Sequence, residues 1–318
     1  MSIPFFDDNM IAKALDYSGV AAELNQAFTD LAIGGACIHS RQRSECDGTR
    51  LSTMGAIWTA RGIAAVKVYP TVLGGFSFIV NLFDINSNQP LALLAGNELT
   101  RLRTAAQTLL IASKVVPKSA HKLALFGAGV QGRAQAQALC THFHFDEIAV
   151  VDPDGDDAWC SRIALQTGSR VRLCSPEAAV THADIVVTAT RSSIPVFSGT
   201  WLKPNALVVA IGTSSPKGRE LDDVTLERAT RIIVEWKPQS LMEAGEIVLW
   251  APSDPSERSK IVDFPQLYRG EVEWPTGQTG ITVLKSVGTG LADAACAHLA
   301  YLRLAGKTVI SGLTEKSV

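Results

Sequence analysis

The chain has 318 residues, 47% of them hydrophobic and 19% charged, with a formal net charge of -2. That is enough for about two domains with well-buried strands and excludes the basic surface of a nucleic-acid or membrane-surface binder. The first fifteen residues carry acid where a secretory leader needs positive charge, and no apolar run is long enough to span a bilayer, so a cytoplasmic protein is expected.

Ile11, Leu15, Val20, Leu24, Phe28 and Leu31 recur at roughly helical spacing and Gly34-Gly35 follows, which predicts one opening helix over 11–33. Strand-like runs follow at 36–43, 50–54, 63–69, 76–83 and 91–94, with turn signals at Asp47-Gly48, Gly74-Gly75 and 86–88. They predict antiparallel hairpins in a first domain of roughly a hundred residues. Asn97 can cap the next helix, which runs to about Val115 before Pro117. Its apolar stripe is Leu99, Leu102, Ala106, Leu109 and Leu110. At about 100° per residue Arg101 lies nearly opposite the stripe, a solvated position, whereas Arg103 lies in or beside it. A guanidinium there needs an anion, either an internal carboxylate or a ligand, and the pattern leaves both open.

The second half alternates strand and helix, with strands expected at 123–126, 148–151, 171–174, 185–189, 207–211 and 232–235. This is the pattern of a doubly wound parallel sheet, a Rossmann fold. After its first strand comes Gly127-Ala128-Gly129-Val130-Gln131-Gly132 and a helix-forming segment. A strand, tight turn and helix N-terminus make a pyrophosphate site from backbone N–H groups and the helix dipole. Asp152 ends the second strand, twenty residues after Gly132, where an adenosine ribose needs a carboxylate. No arginine adjoins it to receive a 2′-phosphate, so NAD(H) is expected in preference to NADP(H). Strand-end loops at Thr188-Ala189-Thr190 and at 212–217, which holds Gly212, Thr213 and Ser214, should line the same cleft.

The six cysteines show no CxxC pair and read as reduced, buried thiols. His142 and His144 have no third ligand nearby in sequence, so no metal is expected. The stretch 250–279 reads as a long connection, and a last helix follows Lys285-Ser286-Val287-Gly288 as far as Leu304.

Val66-Lys67-Val68, the LTRLRTAA stretch that holds Arg103 and Thr104, the GAGVQG loop, Arg219-Glu220-Leu221-Asp222, Glu243-Ala244-Gly245 and Lys285-Ser286-Val287-Gly288 together resemble the ornithine cyclodeaminase and mu-crystallin family over nearly the whole chain. The resemblance implies a smaller α+β, hairpin-rich domain for substrate and dimerisation (1–115 with 300–318) beside a Rossmann domain (116–299), and a homodimer. It places a small imino or amino acid carboxylate on Lys67 and Arg103, with one further arginine before the hairpin. Arg43 is chosen for that position, with Arg41 at the same strand parity. Met54 and Ser286 complete the expected substrate set. Thr104, the 127–132 loop, Asp152, Thr188, Thr190, Gly212 and Thr213 form the expected cofactor set.

Family members include a cyclodeaminase, alanine dehydrogenase, ketimine reductases, an amino-acid (hydroxyproline) dehydratase and a hormone-binding crystallin. Where the cyclodeaminase has an aspartate base, this chain has Ser214, and where an acidic pair precedes the last strand it has Thr279-Gly280. These departures favour an NAD(P)H-dependent reductase of Δ1-pyrroline-2-carboxylate or Δ1-piperideine-2-carboxylate, with Lys67, Arg103 and Ser214 as its catalytic residues. Cyclodeamination, open-chain amino-acid dehydrogenation and dehydration are the alternative reactions, and a non-enzymatic ligand-binding protein is the alternative class.

Overall fold

A computed structural model of the chain describes residues 3–252, 254–276 and 280–306; Thr279 and the segment 307–318 of the expected first domain lie outside the described residues. The strand β1 (Phe5–Phe6) leads into two helices, α1 (Asp8–Ala14) and α2 (Tyr17–Ala32), where one was expected. The break is local. Asp16 accepts the Gly19 N–H at 2.7 Å as the cap of α2, and the apolar spacing runs through the break because Ile11, Val20, Leu24 and Phe28 all reach one core.

Next come β2 (Cys37–Cys46), β3 (Thr49–Trp58), β4 (Ile63–Val72), β5 (Gly75–Phe76), β6 (Ile79–Asp84) and β7 (Gln89–Ala95). Their sheet has the order β1-β7-β6-β4-β3-β2, with β5 on β4, and is antiparallel except for the β1–β7 pair. The strands outrun their apolar runs. Asp47 and Gly48 both take positive φ, the two-residue turn that lets β2 and β3 pair from Cys46 and Thr49 onwards. Alternation places Met54, Ala56 and Trp58 of β3 and Ile63, Ala65 and Lys67 of β4 in the interior.

The helix α3 (Gly96–Val115) is capped differently from expectation: Ala95 is its N-cap and Asn97 lies in the first turn. The acceptor comes from α1, where Asp8 takes the Glu98 N–H at 2.8 Å and the Asn97 amide at 3.2 Å. Arg101 is likewise not simply solvated, since it is half-buried between Glu98 and the Tyr17 hydroxyl.

The second sheet takes in β8 (Lys122–Phe126), α4 (Val130–Cys140), β9 (Glu147–Val151), α5 (Asp157–Thr167), β10 (Arg170–Leu173), α6 (Pro176–Val180), β11 (Ile185–Thr188), β12 (Leu207–Ala210), α7 (Asp223–Arg228), β13 (Ala229–Val234), α8 (Lys237–Glu243), α9 (Gly245–Val248), β14 (Ile261–Asp263), α10 (Phe264–Tyr268) and β15 (Ile281–Lys285). It is parallel, in the order β10-β9-β8-β11-β12-β15-β13-β14. The order reverses between β8 and β11, the position where such sheets open a crevice at their carboxyl ends. The expected long connection holds β14 and α10; Phe264 of α10 meets Phe28 of α2 edge-on at 4.6 Å.

The last helix, α11 (Gly290–Leu304), returns to the first sheet and packs on α2, β3 and β4. The crossing falls at 286–289, ahead of the expected residue 300. It is a close seat: a Cβ on Gly290 would stand 2.1 Å from the Gly55 carbonyl oxygen. Of the cysteines, Cys160 and Cys296 are buried, whereas Cys37 and Cys46, expected inside, are exposed at the ends of β2.

Candidate active site

The glycine loop leaves β8 and enters α4. Gly127 has φ +95°, and a Cβ on Gly132 would stand 1.9 Å from the Gly127 oxygen, so neither position accepts a side chain. Gly129, by contrast, faces open space and caps α4 with no side-chain acceptor, which leaves the first N–H groups of an eleven-residue helix free for an anion. The loop is braced from behind, where the Trp159 indole donates to the Ala128 oxygen at 2.8 Å. Asp152 accepts the Ala128 N–H with one oxygen and the Asp154 N–H, at 2.8 Å, with the other. These features fit the pyrophosphate and ribose of a dinucleotide.

Buried acids organise the neighbouring strand ends. Glu220 accepts the Thr188 hydroxyl at 2.9 Å, the Thr190 N–H at 2.8 Å and hydroxyl at 2.7 Å, and the Gly212 N–H at 2.7 Å. Its own N–H donates to Glu246 at 2.9 Å, and Glu246 pairs at 2.8 Å with Lys285, which also donates to the Thr213 oxygen. Glu235 gathers the Gln107 amide at 3.0 Å, the Gly288 N–H at 2.9 Å and the Ser286 hydroxyl. Each acid has several donors, as burial of a carboxylate requires.

Two clusters of cations face this end of the sheet. In the first, one oxygen of Asp293 on α11 accepts from Arg103 Nε at 2.9 Å and from Lys67 Nζ at 3.3 Å. Lys67 also donates to the Thr100 hydroxyl at 2.6 Å and lies 4.0 Å from the centre of the Phe78 ring. Burial drives the Lys67 ammonium down to about 8, against the pull of Asp293. Burial alone would raise the Asp293 carboxyl, but the charges of Arg103 and Lys67 hold it below the ordinary aspartate range. In the second cluster Glu243 accepts from Arg41 and, at 2.6 Å, from Arg43. Arg41 also reaches the Val287 oxygen at 2.7 Å and Gly288 at 3.3 Å, while Arg43 reaches the Ser214 oxygen at 3.3 Å. The clusters meet at Gly288, where a Cβ would stand 2.9 Å from Arg103 Nη2.

The model of the ornithine cyclodeaminase/mu-crystallin family matches residues 18–308. The chain belongs to that family. It is 31% identical to ketimine reductase mu-crystallin of Rattus norvegicus over 223 residues, 70% of this chain and 68% of that one. It is 29% identical to a Delta(1)-pyrroline-2-carboxylate reductase of Bacillus cereus over 242 residues, 75% of this chain and 73% of that one. A solved structure described as the probable ornithine cyclodeaminase of Bordetella pertussis Tohama I superposes with a TM-score of 0.92 at 40% identity, covering 96% of this chain and 98% of that one.

Within this family fold the expected residues are placed as follows. Lys67 and Arg103 come together, and Met54 is buried on the strand register opposite Lys67. The Ser286 hydroxyl is bound to Glu235, which also takes the Gly288 N–H. Thr188 is fully buried and, with Thr190, is bound to Glu220; Thr104 donates to the Thr100 oxygen at 2.7 Å. Ser214 sits half-buried in its loop, and nothing among the described residues pairs with its hydroxyl; the helix after it begins at Asp223 under an Asp222 cap. The β2–β3 register slips between His39 and Gln42, beside Arg41. Asp293 is the residue that sequence reasoning missed. It is the one acid in a largely apolar helix, where a charge needs a buried partner.

Among the described residues no group of His, Cys, Asp and Glu is arranged to hold a metal, and no helix is long and apolar enough to cross a membrane.

Proposed function

We propose that the protein is a nicotinamide-dependent reductase of small cyclic imino acids, of the Δ1-pyrroline-2-carboxylate or Δ1-piperideine-2-carboxylate type. The observation that carries this is the joining of Lys67 and Arg103 on one buried carboxylate oxygen, in a chain that also holds a glycine loop shaped for a dinucleotide. The names of the rat and Bacillus relatives support the same chemistry. Arg103 has Nη donors with no partner among the described residues, and with Lys67 it would bind the substrate carboxylate through charge-assisted hydrogen bonds. A reduced nicotinamide, when bound, supplies the hydride. An iminium accepts hydride without a protein base, so the residues act by positioning and by electrostatics. Ser214, whose backbone oxygen accepts from Arg43, would add a neutral hydroxyl hydrogen bond to the substrate without a competing anion. NADH is the expected cofactor. The homodimer implied by the family would use the outer face of the first sheet, where Leu51, Val72, Ile79 and Phe83 are exposed.

The likeness to the Bordetella structure favours a second reading, cyclodeamination of ornithine. That reaction needs a base to activate water, and Ser214 stands where the base is expected. The test is oxidation of NADH by the purified protein with each cyclic ketimine, alongside ammonia release from L-ornithine with NAD. We expect ketimine-dependent oxidation and no ammonia. Ammonia release without ketimine turnover would replace this function with the second one.

A further inference from the structure

Lys67 carries its charge where water scarcely reaches. The side chain is 2% exposed, and its cross-strand neighbours, Met54 on β3 and Val80 on β6, are apolar. The charged groups that face it are Asp293 from α11, Arg103 from α3 and Arg41 from β2; burial keeps the Cys296 thiol of α11 neutral. Its one anion is shared, because the same Asp293 oxygen also accepts from Arg103, at 2.9 Å against 3.3 Å for Lys67. Two arginines therefore push on the ammonium and a divided carboxylate pulls. The remaining neighbour is aromatic. Lys67 Nζ lies over the ring of Phe78, 4.0 Å from its centre, and 5.9 Å from the centre of the Tyr69 ring. The negative face of a ring attracts a cation, most strongly where water is excluded. Phe78, in the connection from β5 to β6, is also held still. The Gly96 N–H at the start of α3 donates to its oxygen at 2.8 Å, and a Cβ on Gly96 would stand 2.5 Å from the Phe78 Cβ. Tyr69 and Phe76 meet its ring at 4.8 Å and 4.9 Å between centres. Because α3 also carries Thr100 and Arg103, the ring, the hydroxyl and the guanidinium around Lys67 are all referred to one helix.

We propose that Phe78 is a positioning residue for Lys67, the face of its ring keeping the ammonium charged and in place for the substrate carboxylate. This rests on the function proposed above for the role of Lys67 toward substrate. Thr100 and Asp293 take two of the three N–H groups of Lys67, whereas a ring answers the charge as a whole. It steadies the cation without adding a second anion that would compete with the substrate carboxylate.

The test replaces Phe78 in turn by mono-, di- and trifluorinated phenylalanine, which keep the ring's shape while withdrawing the negative charge of its face, and by cyclohexylalanine, which fills the place with no such face. Lys67 is titrated by NMR in the full chain labelled with carbon-13 at lysine Cε, its signal assigned by its loss in Lys67→Arg. The titration point, about 8 in the wild type, should fall stepwise along the fluorine series, by at least about half a pKa unit at the trifluorinated ring. Cyclohexylalanine should lower it too, and the alkaline limb of kcat/KM for a ketimine should move with it. A flat fluorine series in folded variants, or a cyclohexylalanine variant that keeps the wild-type value, overturns the proposal, since a ring that only fills space would leave the titration where it is. Because the titration is read without turnover, a flat series in a protein that reduces ketimines refutes this inference alone. A stepwise fall in one that reduces no ketimine refutes the function alone.

Discussion

Asp293→Asn isolates the charge that keeps Lys67 protonated while keeping the side chain's shape. A unit charge at the Lys67–Asp293 distance of 3.3 Å is worth on the order of 5 kcal/mol at an effective dielectric near 20. The amide retains a dipole and the surroundings relax, so we take about 2.7 kcal/mol, or about two pKa units. Lys67 in the free enzyme, at about 8 in the wild type, should then titrate at about 6. At pH 7.5 its protonated fraction falls from roughly three-quarters to about 3%, and kcat/KM for a ketimine should fall about 25-fold. The assay is kcat/KM from pH 5 to 9.5 for both proteins, with thermal melting to establish that the variant is folded. The alkaline limb should move from about pH 8 to about pH 6. A folded variant whose limb stays at its wild-type position would refute the coupling of Lys67 to Asp293. The same group bears on folding, because its pKa is lower in the native state than the 10.5 of a free lysine. The unfolded chain thus binds that proton more tightly, and stability from Lys67 rises with pH between about 8 and 10.5.

Arg103→Ala should raise the barrier in kcat/KM by about 2–5 kcal/mol with little change in NADH affinity; an unchanged kcat/KM would reduce Arg103 to a partner of Asp293. NADH should exceed NADPH in kcat/KM because Asp152 repels a 2′-phosphate by on the order of 1–3 kcal/mol, and equal values for the two cofactors would remove that role. Gly132→Ala should abolish dinucleotide binding and lower the melting temperature, since the new Cβ would meet the Gly127 oxygen at 1.9 Å; normal NADH affinity by fluorescence titration would contradict the loop geometry.

What the sequence made legible follows from how local its cause is. The glycine loop needs only adjacent residues, and its turn, close approach and helix entry are written into 127–132. Helical phase placed Arg103 against the core and thereby required an anion, but phase cannot name a partner 190 residues away. Asp293 carried the complementary signal, an acid amid alanines and leucines, and only the return of α11 joins the two. The Asp8 acceptor at the start of α3 was hidden for the same reason. The edge strand β14 was missed because three residues are too few to show a period. Thr188 and Thr190 were sought at the cofactor because strand ends line the cleft; that both hydroxyls donate to the buried Glu220 was hidden, because the acid lies about thirty residues further along the chain.

The chain passes between the two sheets at 116–121 and again at 286–289, and the second passage is the one that touches both cation clusters. The two sheets also share one apolar core, from Ile11 and Phe28 to Leu125 and Phe264, so the links are held in place by packing on both sides. The second link carries Gly288, whose oxygen accepts from Arg41 and whose Cα lies beside the Arg103 guanidinium. A side chain added at Gly288 would therefore disturb both cation clusters at once, although it belongs to neither.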